Sequence, residues 1–198
     1  MADWDRRNLA RLPRTRDEVN YIVSLIPKDR TRLYLGQDST EKAFKQEPLN
    51  KYRWIHFATH SLINERHPGR SAVVLALDGN NNEDGFLRAT EIAELNLNCD
   101  MVILSACETG IGKEIRGEGL IALTRGFMYA GAARVVASLW KVNDRATADL
   151  MAEFYREMLL NKTTPAAALR AAQLKLSQHP RWQNPHFWAG FVLEGEWR

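Results

Sequence analysis

Short, continuously apolar runs recur along this chain between segments of helical period, and that alternation narrows the available folds more than any other feature. The clearest runs are Ala72–Leu77 (AVVLAL), Asp100–Ser105 (DMVILS) and Arg134–Leu139 (RVVASL). A strand without polar alternation needs cover on both faces, which is the situation inside a parallel sheet sandwiched by helices. The intervening segments supply those helices. From about Glu118 to Ala130, Leu120, Ile121, Leu123, Phe127 and Met128 fall on one side, and Gly131 ends the segment. After Asn143 or Asp144 as cap, Leu150, Met151, Phe154, Tyr155, Met158 and Leu159 keep the same period. Shorter helices are expected over Thr15–Leu25, with Val19, Ile22 and Val23 on one side and Pro27 as the stop, and from Ser39 or Thr40 through Phe44. Thr90 is expected to cap EIAEL, and Thr164 with Pro165 to open a last helix. Further strands are expected at Arg32–Leu35, Arg53–Ala58 and Phe191–Leu193, with a turn at NNNED. The expected fold class is therefore α/β, a mostly parallel sheet with helices on both faces, in which sites form outside the carboxyl ends of the strands.

Two of these strands end at reactive side chains. One runs into Ala58, Thr59 and His60, the other into Ser105, Ala106 and Cys107. A thiol beside an imidazole is a usable nucleophile at neutral pH, because the imidazole raises the thiolate fraction and then supplies a proton to a leaving amine. Two strand ends of one parallel sheet bring such residues together although they stand 47 positions apart in the chain. Each residue also has an ordinary reading: a free cysteine is often a small buried packing residue, and a single histidine is often a hydrogen-bonded core or cap residue. Their matched placement favours the catalytic pair. Cys99 precedes its strand without such a context and reads as structural. His56, four residues before His60, is expected to take a supporting structural role, and His67, His179 and His186 to be surface or packing residues. Glu108 either contacts a substrate or is solvated.

Gly110, Gly112, Gly117 and Gly119 invite comparison with a phosphate-binding loop, and on them alone rests the reading of a nucleotide-binding α/β protein. The segment has neither the Walker ending nor the GxGxxG spacing, so an active-site loop leading into a helix is the better reading. Lys113 and Arg116 within it are open either to cleavage or to steering a substrate.

Composition excludes several other classes. The chain is 45% hydrophobic and 26% charged without low-complexity tracts, so 198 residues are expected to fold as one domain. The net charge of +3 comes from scattered basic residues, and nucleic acid is not an expected partner. The dense cluster from Asp5 to Arg16 reads as an exposed lead-in. No run approaches the roughly 18 apolar residues of a membrane span, and the N-terminus lacks the apolar core of a secretory signal, so a cytoplasmic location is expected. Two cysteines make no disulfide framework, and histidine and cysteine spacings fit no zinc template, so neither metal nor cofactor is expected.

Taken together, HFATH (His56–His60), VILSACETG (Val102–Gly110), RGEGLIALTRGFMYAGA (Arg116–Ala132) and VVASLW (Val135–Trp140) resemble CHAT domains, of the caspase/separase-like clan of cysteine peptidases. The resemblance runs from about Leu12 to Gly195. It implies a caspase-like fold and a cysteine endopeptidase acting on protein or peptide substrates, with His60 as base and Cys107 as nucleophile. Caspases place the histidine about 50 residues before a QAC[RQG]G motif, and SACETG departs from that motif at Ser105 and in the position of its glycine. The resemblance also implies an oxyanion hole of the Ser61 and Cys107 backbone amides. Most relatives have glycine after the histidine; Ser61 keeps the amide but restricts the dihedrals. Asp144, in LWKVND, resembles the acidic position that separases set near a basic P1 side chain, and its alternative role is a helix N-cap.

Set against that family, the first strand and helix are expected to be absent or shortened here, and so are the tetratricopeptide or other repeats that often precede such domains. The expected organisation is a lead-in over residues 1–11 and a peptidase domain over 12–198, a C-terminal fragment of a larger protein. A tetratricopeptide-like regulatory domain is then a partner, and an exposed sheet edge would need a partner segment. The family resemblance implies a regulatory role in prokaryotic stress or defence. A non-catalytic scaffold or protein-interaction module that keeps the pair by descent is the alternative.

Overall fold

The computed structural model describes residues 9, 11–78, 83–105 and 117–197. In chain order the elements are α1 (Thr15–Ser24), α2 (Glu41–Gln46), β1 (Trp54–Phe57), β2 (Ser61–Leu62), β3 (Ala72–Val74), β4 (Phe86–Arg88) and α3 (Ala89–Ile92). There follow β5 (Met101–Leu104), α4 (Glu118–Tyr129), β6 (Arg134–Ser138), α5 (Asp144–Leu159), α6 (Pro165–Gln178) and β7 (Phe191–Gly195).

The main sheet has the order β1-β5-β6-β7. β1, β5 and β6 run parallel, and β7 closes the far side antiparallel to β6. Side-chain alternation splits each strand between two cores. Ile55, Phe57, Val102, Leu104, Val135 and Ala137 face α3 and α4. Trp54, Met101, Ile103, Val136 and Phe191 face α1, α5 and α6. Each central strand is thus apolar along its whole length because both faces are covered, as the runs DMVILS and RVVASL require. This is the mostly parallel, helix-covered α/β architecture of a caspase-like fold.

Local chemistry sets the helix ends. Asn143 caps α5, its Oδ1 accepting from the amides of Arg145 and Ala146 at 3.0 and 3.3 Å, so Asp144 is the first helical residue and not the cap. The Thr40 hydroxyl caps α2 by accepting from Ala43 N at 3.1 Å. Gly117 precedes α4 with φ +82°, a conformation that a side chain would strain.

Three expectations need correction. Arg32–Leu35 is not a strand: it runs between two short 3-10 turns, Leu33 and Tyr34 are about 40% exposed, and Tyr34 turns its hydroxyl to Glu47. It has no apolar face to bury. Ala72–Leu77 is buried as expected, but only Ala72–Val74 forms a strand, and it belongs to a separate antiparallel sheet, β2-β3-β4, whose other strands are too short for the sequence pattern to reveal. α3 begins two residues earlier than expected and is capped by Arg88 in place of Thr90, with Glu91 Oε2 accepting from Arg88 N at 3.0 Å.

Candidate active site

Parallel strands place their carboxyl ends on one side of the sheet, and here three ends meet around a single cavity. His60 follows β1, Ser105 follows β5, and Ser138 with Asp144 stand at the end of β6 and the start of α5; all four line the cavity, as do Glu18 and Leu12. Ser105 fastens the first two ends together. It is 1% exposed, its amide donates to Phe57 O at 3.1 Å and its hydroxyl to the same oxygen at 3.3 Å. Of the residues expected at the site, His60 and Asp144 are therefore brought to one cavity. Cys107 and Glu108 lie outside the described residues, as do Gly110 and Gly112.

Ser61 immediately follows His60 in β2 and is 1% exposed. It pairs with Val73, while the neighbouring pair is bonded through Val74 N donating to His60 O at 2.8 Å. Bonded and non-bonded pairs alternate in an antiparallel ladder, so the Ser61 amide is directed away from β3. The position does not call for glycine either, since the described non-glycine residues with positive φ are Asn98 and Lys162. Among the described residues, the buried Ser61 hydroxyl has no hydrogen-bond partner.

His56 stands apart from the cavity in a buried relay. Its Nδ1 is 3.1 Å from the Tyr155 hydroxyl and its Nε2 is 2.7 Å from Glu18 Oε1. Burial, and then the charge of Glu18, push the Tyr155 phenol far above its usual range, so it remains an O–H donor. An arrangement that gives both ring nitrogens a partner is Tyr155 O–H donating to Nδ1 and Nε2–H donating to Glu18. His56 thus ties α1 and α5 to β1, the supporting role expected of it. Glu18 was the residue the sequence reading passed over. The available signal was an acid four residues before Ile22, on the stripe that α1 buries.

Three further features have structural explanations. Gly119 is the contact point of α4, since a Cβ there would lie 2.6 Å from Ile63 Cγ2 and 2.9 Å from Ser71 Oγ. Packing accounts for that glycine, and nothing at it calls for a phosphate. Glu41, Glu83 and Glu91 gather within ligand distance of one another, but Lys45 Nζ occupies their midst at 2.7, 3.2 and 3.0 Å. Cys99 is 3% exposed, and burial pushes its thiol up to about 11, which keeps it protonated and inert.

With this geometry in place, comparison with known proteins decides the family. The CHAT domain matches residues 2–196, essentially the whole chain. The chain belongs to the CHAT domain family. This is a caspase-like, peptidase-related family, in agreement with the sheet order and with the meeting of strand ends. Over 110 residues the CHAT chain is 35% identical to tetratricopeptide repeat protein 28 of Mus musculus and 36% identical to that of Homo sapiens. The match covers 56% of this chain and 4% of each relative, so it spans a small part of much longer proteins. Among the described residues, no helix is long and apolar enough to cross a membrane.

Proposed function

We propose that this CHAT domain is a cysteine endopeptidase in which Cys107 is the nucleophile and His60 its acid–base partner. The observation that carries the reading is the cavity at three strand ends, where His60 and Asp144 meet Ser105, two residues before Cys107 in the chain. The Cys107 thiolate attacks the scissile carbonyl, and His60 delivers a proton to the departing amine. Water then hydrolyses the thioester with His60 accepting its proton, which frees the acid product and the thiol. The amides of Ser61 and Cys107 receive the oxyanion; donors of this kind contribute about 3 kcal/mol each. The direction of the Ser61 amide, away from the β2–β3 ladder, supports that assignment. Asp144, with Glu108 as a second contact, binds the substrate and favours a basic P1 residue. The likeness to tetratricopeptide repeat protein 28 supports a tetratricopeptide-repeat region as the regulatory partner, within a longer protein in which residues 12–198 are the peptidase unit.

The test is cleavage of fluorogenic peptides with Arg, Lys or Ala at P1. Cleavage after Arg and Lys that disappears in Cys107→Ala and in His60→Ala supports the reading. Turnover that survives either substitution contradicts the His60–Cys107 pair, and a folded protein that cleaves nothing favours the CHAT domain as a protein-interaction module.

A further inference from the structure

We propose that the turn of residues 12–15, where the chain enters α1, is a built-in plug of the cavity at the strand ends, held there by Asp144 and displaced when a substrate binds. The proposal rests on the peptidase reading in taking that cavity to be where the substrate is received.

The cavity measures about 30 Å³, room for a water molecule or two. Ligand pockets run to roughly 300 Å³ and more, so a wall must move before a peptide side chain enters. Most of the walls are fixed. Ser105 and Ser138 stand at strand ends and are 1% and 2% exposed. The loop after β6 is tied down by Ser138 Oγ donating to Trp140 O at 2.7 Å and Trp140 Nε1 donating to His186 O at 2.9 Å. The remaining wall includes Leu12 and Thr15, both half-buried, with Pro13 and Arg14 exposed between them. That turn is closed internally, Thr15 Oγ1 donating to Leu12 O at 2.8 Å. Among the described residues, its one hydrogen bond to an element other than α1 is Arg14 N donating to Asp144 Oδ2 at 2.8 Å.

That bond explains itself from the helix end. α1 has no side-chain cap of its own, since Arg14 stands at the cap position and its guanidinium turns to Asp17 at 2.9 Å. The first amides of a helix need acceptors, and the helix dipole favours an anion there. Asp144 supplies one from the start of α5, so its carboxylate stabilises the plugged state. A substrate that reaches Asp144 competes for the same carboxylate, and its binding therefore releases the turn. Release does not require α1 to unfold. Farther along, Glu18 Oε1 stays with His56 Nε2 at 2.7 Å and Ile22 stays in the core, so opening is confined to the uncapped first turn.

Two reagents applied to the full chain, with the adduct on Cys107 mapped by mass spectrometry, test this without requiring turnover. Iodoacetamide is small and needs no pocket, whereas a Lys/Arg-directed acyloxymethyl ketone must seat its side chain. The ratio of the two rates separates access from thiol reactivity. Arg14→Pro removes the amide donor, and Leu12→Gly removes a side chain from the wall. We expect the ketone-to-iodoacetamide ratio to rise about tenfold or more in Arg14→Pro and about threefold or more in Leu12→Gly. Arg14→Ala keeps the amide, and we expect it to match the wild type. An unchanged or lower ratio in Arg14→Pro and Leu12→Gly would overturn the plug, as would an equal rise in Arg14→Ala. Should circular dichroism show that Arg14→Pro does not fold, the ratio in Leu12→Gly decides. Ketone labelling of Cys107 with the same ratio in every variant removes the plug and leaves the peptidase standing. Iodoacetamide modification of Cys107 with no ketone adduct in any variant removes both.

Discussion

At the scale of single residues, Ser61 carries a penalty that the sequence did not reveal. A hydroxyl was legible there; that it would be buried without a partner depends on β2, a strand of two residues that no periodicity can announce. Ser61→Ala removes the unsatisfied group and keeps the amide, and we expect stabilisation of about 1 kcal/mol, or 2–4 °C in melting temperature. A melting curve that falls instead would show that the hydroxyl is satisfied in solution. Cys99 offers the contrasting case, since its structural role was readable from its context. With its thiol pushed up to about 11, we expect Cys99 to resist iodoacetamide at pH 7.5, where roughly 0.03% would be thiolate. Mass spectrometry of tryptic peptides checks this, and alkylation of Cys99 in the folded protein would contradict its burial.

At the scale of elements, the long helices and the central strands were legible because their patterns are strong: α4, α5, β5 and β6 fall within a residue or two of the expected positions. The antiparallel sheet was not, because strands of two and three residues show too little alternation, and α3 was expected but with its start displaced. What holds those short pieces is tertiary. Gly119 lets α4 approach the segment between β2 and β3, and we expect Gly119→Ala to cost about 1–3 kcal/mol by overpacking, measured by denaturant unfolding. An unchanged midpoint would mean that Ile63 and Ser71 yield easily. Lys45 joins α2 to α3 and to Glu83 through three carboxylates. Burial works against its ammonium form, but hydrogen bonds to Glu41 and Glu91 outweigh that and hold its pKa above the usual lysine value. Its stabilising contribution is therefore complete below the ordinary lysine pKa and fades only as pH rises through the higher folded value. Lys45 is 27% exposed, so we expect Lys45→Met to cost about 2 kcal/mol, less than the loss from a fully buried pair. The deficit should shrink as pH falls through the carboxylate range, because the three acids then lose their mutual repulsion. A deficit that does not change between pH 7 and pH 4 would contradict this arrangement.

At the scale of the whole molecule, the parallel sheet does what two separated motifs cannot do in sequence: it brings the ends of β1, β5 and β6 to one cavity. His60, singled out in the sequence by its place past a strand, and Asp144, singled out by resemblance, both line this cavity. Glu18 was not singled out, because its role depends on where α1 packs, and helix packing across a sheet leaves no mark on local spacing. The membership of the CHAT family agrees with this architecture, and the proposed chemistry follows from adding Cys107 to it. The most direct measurement is covalent labelling by a Lys/Arg-directed acyloxymethyl ketone, with the modified residue mapped by mass spectrometry in the wild type, Cys107→Ala and His60→Ala. We expect one adduct, on Cys107, that is lost in Cys107→Ala and slowed at least about 100-fold in His60→Ala. Labelling at Cys99, or a Cys107 adduct formed equally fast without His60, would contradict a catalytic pair at these strand ends.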